Sequence, residues 1–297
     1  MGKTRNIKYQ FKHCIDFNFK EGMDKHSIKK NGKDNSKIYS YSDRKNLIDL
    51  SANFANWLKE NHSEIRQLKN INSSHIQEFL NEKASNCSQK TLEQYQSHFR
   101  KLETLCNNTY NANVDFHSAT TPLSLKNGGG KIRNVMCSDV QYQSLLKTTN
   151  SNLKAALILS KNFGLRASEC SKVQYKDIKE DGIYIADSKG KRSRFVKAET
   201  RQQQDILQQF RVEKQGRICP VQTGSLQQAF NRECKKQGID FPNGAFHTLR
   251  KNFATTKYKE YREKETVQQA LDHVSHALGH GSKRNELMKQ YICCPLE

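Results

Sequence analysis

The sequence predicts a mainly α-helical protein of two domains, with a small β-hairpin in the second. Three observations support this. Apolar residues recur at steps of three and four from residue 42 to 108 and again from residue 138, the period of amphipathic helices. A Gly-rich interval at Gly128–Gly130 breaks the pattern midway, and 297 residues suit two ordinary domains. Period-two alternation, the mark of strands, is confined to residues 7–19 and 183–197.

Residues 1–36 are a basic N-terminal extension. Ile7, Tyr9, Phe11, Ile15, Phe17 and Phe19 alternate with polar residues and predict a strand or strand pair, followed by a Lys/Asp/Asn/Gly-rich loop. It reads either as a DNA-contacting arm or as a strand closing the next domain's core.

Residues 37–110 form a compact helical domain. Ser42 is a candidate N-cap ahead of Leu47, Leu50, Phe54, Trp57 and Leu58. Ser74 with Gln77 gives a capping box, and Ser88 opens a third helix striped by Leu92, Tyr95, Phe99, Leu102 and Cys106. Residues 111–135 read as a linker. Its NGGGK run is not a phosphate-binding loop, because Ile132 stands where Ser or Thr is required.

The second domain spans residues 136–297. Ser138 and Gln141 make a capping box, and a helix carrying Leu153 and Leu157 runs to Gly164. Arg166 opens a new helix. Ile183 and Ile185 lead into a turn around Lys189-Gly190 that returns through Phe195, a hairpin. Two helices follow in 200–238, the second ending at Gly238. His247 begins another helix. Val267, Leu271, Val274 and Leu278 stripe the next, which stops at Gly279. Ser282 caps a final helix bearing Leu287, Met288, Tyr291 and Ile292.

Fifty Lys and Arg against thirty Asp and Glu give a net charge of +20, which favours a polyanionic partner through counterion release. Nine cysteines, odd in number and without a CxxC pair, exclude a disulfide framework and a zinc ribbon and fit a reducing cytoplasm. No apolar run is long enough to span a membrane.

The candidate chemistry lies mostly in the tail. Cutting a phosphodiester without a metal needs cations on the non-bridging oxygens, a nucleophile held in line and a proton donor for the leaving oxygen. Arg166 and Arg250 supply planar forks for phosphate. His247 lies one helical turn before Arg250, on the same side. Tyr291 can form a covalent phosphotyrosine. Other readings stand beside these. Arg166 and Glu169 also read as a plain helix ion pair, Tyr291 as a core tyrosine, Tyr258 and Tyr261 as rival nucleophiles, and His273, His276 and His280 as metal ligands.

The motifs GLRASE, SKGKR, HTLR, LGH and a following Tyr, in that order, resemble the tyrosine recombinase/integrase family over about residues 40–292. The resemblance implies a helical core-binding (SAM-like) domain followed by a mixed α+β catalytic domain. It implies site-specific cutting and rejoining of DNA by transesterification of the type IB topoisomerase kind, for integration or excision of a mobile element. Arg166 and Arg250 would clamp the scissile phosphate. Lys189 would be the general acid, with Lys191 as rival. His247 would assist proton transfer, His280 would hydrogen-bond the phosphate, and Glu169 would orient Arg166. Tyr291 would attack, leaving a 3′-phosphotyrosine and a 5′-hydroxyl. Neither metal nor nucleotide is implied. The partner would be double-stranded DNA, bound by a homotetramer on paired sites in the cytoplasm, at the nucleoid. The Arg250-to-His280 and His280-to-Tyr291 intervals are long for the family. Six residues follow Tyr291, leaving exchange of a tail between subunits open. A catalytically silent DNA-binding relative and a metal-dependent nuclease are the alternatives.

Overall fold

A computed structural model of the chain describes residues 6–21, 28, 37–126, 135–186, 188, 193–212, 214–241, 246–282 and 284–296. It is mainly helical and divides into two compact units, Met1–Lys131 and Ile132–Glu297.

The first unit contains α1 (Ile7–Phe17), α2 (Tyr41–Asn61), α3 (Ser73–Ala84) and α4 (Gln89–Tyr110). Its N-terminal segment corrects the sequence expectation, because residues 7–17 form a helix and not a strand. Ile7, Phe11, Cys14 and Ile15 share one helical face and are buried. Tyr9 and Phe17, which completed the alternating pattern, remain 41% and 64% exposed. Asn6 Oδ1 accepts the Tyr9 N–H and starts the first turn. The segment packs on α2 and α4 and closes this unit's core. Only Phe19 keeps an extended pairing, a parallel bridge to Ile38.

The core of this unit is aromatic: Phe54 meets Phe11, Trp57, Phe79 and Phe99. Ser88 caps α4 as expected. The caps of α2 and α3 lie two residues earlier than read, at Ser40 and Asn72, whose side chains accept the Asp43 and the Ser74 and His75 N–H groups. Residues 111–126, read as linker, pack back onto the unit through Val114, Phe116 and Ala119. The NGGGK run lies outside the described residues.

The second unit contains α5 (Asp139–Leu145), α6 (Ser151–Phe163), α7 (Ala167–Cys170), β1 (Gly182–Ile185), β2 (Arg194–Lys197), α8 (Arg201–Phe210), α9 (Thr223–Lys236), α10 (His247–Arg262), α11 (Val267–Ala277) and α12 (Asn285–Met288). The hairpin pairs Ile183 with Val196 and Ile185 with Arg194, antiparallel. Directly opposed residues share a face, so Arg194 sits on the inward side with Ile183, Ile185 and Val196.

Helix α6 ends at Gly164, whose φ of 64° places it in the left-handed region. A Cβ there would lie 2.5 Å from the Phe253 ring, so the absent side chain lets α10 pack against the end of α6.

The last helix also differs from expectation. It spans only Asn285–Met288, with Arg284 at its N-cap position, and the Ser282 hydroxyl pairs with His276 Nε2 and does not cap it. Tyr291 follows in a turn, its N–H donating to Met288 O at 2.8 Å.

Candidate active site

Arg166 is placed by the sharp passage from α6 into α7. Gly164 reverses the chain, Leu165 is buried, and Arg166 becomes the N-cap residue of α7. Its backbone N–H donates to Glu169 Oε2 at 2.8 Å and its Nη1 to Glu169 Oε1 at 2.7 Å. One carboxylate thus fixes both the main chain and the side chain of Arg166. The pair was read as a helix ion pair or an orienting contact, and the geometry contains both. It is buried, with side chains 14% and 3% exposed, so it is no ordinary surface salt bridge.

Arg250 lies one turn into α10 and is fully buried. Nη1 donates to Gly164 O and Nη2 to Leu278 O, while its guanidinium stands 3.9 Å from Glu169 Oε2. It therefore pins the end of α6 and the turn after α11 together. Burial, reinforced by the nearby Arg166 and Arg194 charges, pushes the guanidinium down to about 9, which leaves it cationic at neutral pH.

The turn after α11 delivers His280. Gly279 is left-handed at φ 72°, Ser275 O accepts the His280 N–H, and Ser275 Oγ donates to Gly281 O. Arg166 Nη2 stands 3.2 Å and Arg250 Nη2 3.4 Å from His280 Nε2. Guanidinium groups only donate, so Nε2 accepts in this arrangement and the ring proton belongs on Nδ1. The two arginines, on separate segments, point at one spot.

Tyr291 reaches the same spot. Its ring centroid lies 5.0 Å from that of His247 and 5.3 Å from that of His280, and Arg250 stands 5.7 Å from it. Met288 and Ile292 are buried on either side, and Cys293 N–H donates to Thr255 Oγ1 of α10 at 3.0 Å. The turn carrying Tyr291 is therefore anchored on its own unit from both sides. His247, the first residue of α10, is exposed beside it.

The structure thus brings together Arg166, Glu169, His247, Arg250, His280 and Tyr291. Lys189 and its rival Lys191 lie outside the described residues. The rival phenols lie elsewhere: Tyr258 is 2% exposed in the core, and Tyr261 bonds Glu199. His273 bonds Glu265 and His276 bonds Ser282, so the three histidines do not converge. Among the described residues no group of three or more His, Cys, Asp or Glu side chains is placed to hold a metal ion.

Two residues of this cluster were missed in the sequence. Arg194 Nη1 and Nη2 donate to the two Glu169 oxygens at 2.7 and 2.8 Å, and Ser188 Oγ donates to Oε1. Arginine on the inward face of a predicted hairpin was the available signal for Arg194. Ser188 carried none. Burial would by itself push the Glu169 carboxyl up. The hydrogen bonds and charge of Arg194, with Arg250 and Ser188, overcome it and hold the carboxyl far below the usual range.

A phenol beside two imidazoles and a guanidinium, with a second guanidinium on the same imidazole, is an arrangement whose chemistry suits phosphoryl transfer to tyrosine. Residues 137–278, the greater part of the second unit, match the model of the phage integrase family. Three solved structures share the fold. The XerH site-specific recombinase bound to palindromic difH substrate matches with a TM-score of 0.58 at 17% identity, over 84% of this chain and 74% of its own. A lambda integrase tetramer bound to a Holliday junction gives 0.58 at 15%, over 94% and 79%. The Tn1549 transposon integrase in complex with transposon right end DNA gives 0.55 at 12%, over 98% and 96%. At these identities the likeness is one of fold. No curated protein sequence matches the chain.

Proposed function

We propose that the chain is a site-specific DNA recombinase that opens and reseals strands of duplex DNA through Tyr291. The observation that carries this reading is the convergence of Arg166 and Arg250 on His280, with the Tyr291 ring against both histidines. A scissile phosphate bound there takes the donors now spent on His280 Nε2. The two guanidinium groups stabilise the charge that builds on its non-bridging oxygens. The Tyr291 oxygen attacks phosphorus as the bond to the 5′ oxygen breaks, and His247 assists removal of the phenolic proton. Lys189 donates a proton to the leaving 5′ oxygen. The products are a 3′-phosphotyrosine and a 5′-hydroxyl, and the bond energy is conserved, so the reverse attack reseals the strand.

The net charge of +20 supports duplex DNA as the partner of both units, gripped on either side of the 111–135 segment. Recombination between two duplexes calls for a homotetramer on paired sites, the assembly in which lambda integrase was seen on a Holliday junction. The phage and transposon integrases among the structures of similar fold support a role with a mobile element, and a reaction on DNA calls for a location in the cytoplasm at the nucleoid. The test is a nicked duplex that loses its 5′-hydroxyl strand on cleavage. The wild-type protein should accumulate a covalent adduct with EDTA present, and Tyr291→Phe should form none while binding the duplex with unchanged affinity. Binding without adduct by the wild type would make the chain a silent relative, and cleavage abolished by EDTA would make it a metal-dependent nuclease.

A further inference from the structure

Glu169 has more donors than an orienting partner for Arg166 needs. Oε1 accepts from Arg166 Nη1 at 2.7 Å, from Arg194 Nη1 at 2.7 Å and from Ser188 Oγ. Oε2 accepts from Arg194 Nη2 at 2.8 Å and from the Arg166 backbone at 2.8 Å. A carboxylate has about four lone-pair sites, so this one is saturated. The Arg194 fork is the contact that spans both oxygens with one rigid plane, and it fixes the rotation of the carboxyl group. With that rotation fixed, Oε1 holds Arg166 Nη1 and leaves Arg166 Nη2 aimed at His280.

Arg194 is not itself available to substrate. Its side chain is 8% exposed, both terminal nitrogens are engaged on Glu169, and Nη1 also meets Ser188 Oγ at 3.3 Å. It stands instead at a junction of three elements. It is the first residue of β2, it holds the carboxylate of α7, and it packs against Gly279, where a Cβ would lie 2.9 Å from its Cδ. Gly279 directly precedes His280, so the space that Arg194 fills lies under the turn presenting that imidazole.

Packing alone does not account for an arginine here. The other residues of the hairpin's inward face are Ile183, Ile185 and Val196, and an apolar side chain would fill the position without desolvating a charge. Arg194 Nε is buried with no hydrogen-bond partner, a cost that an aliphatic residue would avoid.

We propose that Arg194, with Ser188, is a positioning residue for the strand-transfer reaction, holding Glu169 in the one rotation that aims Arg166 at the phosphate. The inference rests on the functional reading above, and Arg194 acts only through Glu169 and Arg166. Lysine at 194 can reach one carboxylate oxygen but not both, so Arg194→Lys should fall between wild type and Arg194→Met.

The test has two arms. In single-turnover cleavage of the nicked duplex, Arg194→Met should slow adduct formation by about 100-fold, the scale of a misplaced catalytic group, with duplex affinity unchanged. In an Arg166→Ala background the same substitution should cost less than about threefold, because its route of action is already gone. Equal losses in both backgrounds, or a loss carried wholly by duplex affinity, would overturn the proposal. The second arm needs no DNA or activity. Nitrogen-15 spectra of arginine side chains should show the Arg166 guanidinium with hindered rotation in the wild type and free rotation in Arg194→Met, the signal being assigned by its absence from Arg166→Lys. A guanidinium equally restrained in both proteins would refute the inference whether or not the chain cuts DNA.

Discussion

Replacing Glu169 by glutamine keeps the side chain's shape and removes the charge that Arg166, Arg194 and Arg250 surround. Glu169 is 3% exposed and accepts hydrogen bonds from Arg166, Arg194 and Ser188. An amide offers one acceptor oxygen in place of two and turns its NH2 group toward guanidinium donors. Removing one partner of a buried ionic cluster leaves the other charges uncompensated and costs about 3–5 kcal/mol. For a unit of this size each 1 kcal/mol lowers Tm by about 2–4 °C, so a fall of roughly 6–20 °C is expected at neutral pH.

The pH dependence has a definite sign. The native carboxyl is held well below its ordinary value, so its contribution is complete above the unfolded pKa of about 4.3 and is lost as pH falls through the native value. The Tm gap between wild type and Glu169→Gln should therefore be constant from pH 7 to about 5 and close only on further acidification. Thermal melts followed by circular dichroism across that range give both quantities. A gap of only about 1–2 °C, the size of an ordinary surface substitution, or one that already closes near pH 6, would refute the reasoning.

Three further outcomes follow from the same geometry. Gly164→Ala places a Cβ 2.5 Å from Phe253 at a left-handed φ and shifts the carbonyl that Arg250 holds, so it should cost about 1–3 kcal/mol in chemical denaturation and lower the rate of adduct formation as well. Mixing Tyr291→Phe with Arg250→Lys protein should yield no adduct, because the Cys293–Thr255 bond and buried Ile292 hold Tyr291 on the unit that carries Arg250; adduct in the mixture would mean that the tyrosine is exchanged between subunits. Lys189→Ala should be slow on ordinary DNA and recover on a substrate with sulfur as the leaving 5′ atom, which needs no general acid; recovery of Lys191→Ala instead would move that role by two residues.

Much of the candidate site was legible because the chemistry proposed for it restricts residue type and order. Arg166, His247, Arg250, His280 and Tyr291 each stood in a short motif, and the turns that present them are marked by Gly164 and Gly279. The caps Ser88 and Ser138 were readable for the same reason: a hydroxyl before an apolar stripe has a local job.

The N-terminal helix was not legible, because Ile7, Phe11 and Ile15 satisfy both periods. Every second residue and every fourth residue coincide at those positions, and Cys14 was the residue that decided for the helix. The final helix was overestimated from Ser282, whose hydroxyl pairs with His276, a contact that no local pattern reveals. Arg194 was lost among the basic residues of SKGKRSR. Its meaning depends on Glu169, 25 positions upstream, and on the register that turns it inward.

The most direct measurement of the central claim is peptide mapping of the protein–DNA adduct trapped on the nicked duplex. The account predicts a single modified peptide, with the 3′-phosphate on Tyr291 and a free 5′-hydroxyl on the released strand. DNA linked to Tyr258, Tyr261 or a cysteine, or a 5′-phosphate on the released strand, would contradict it.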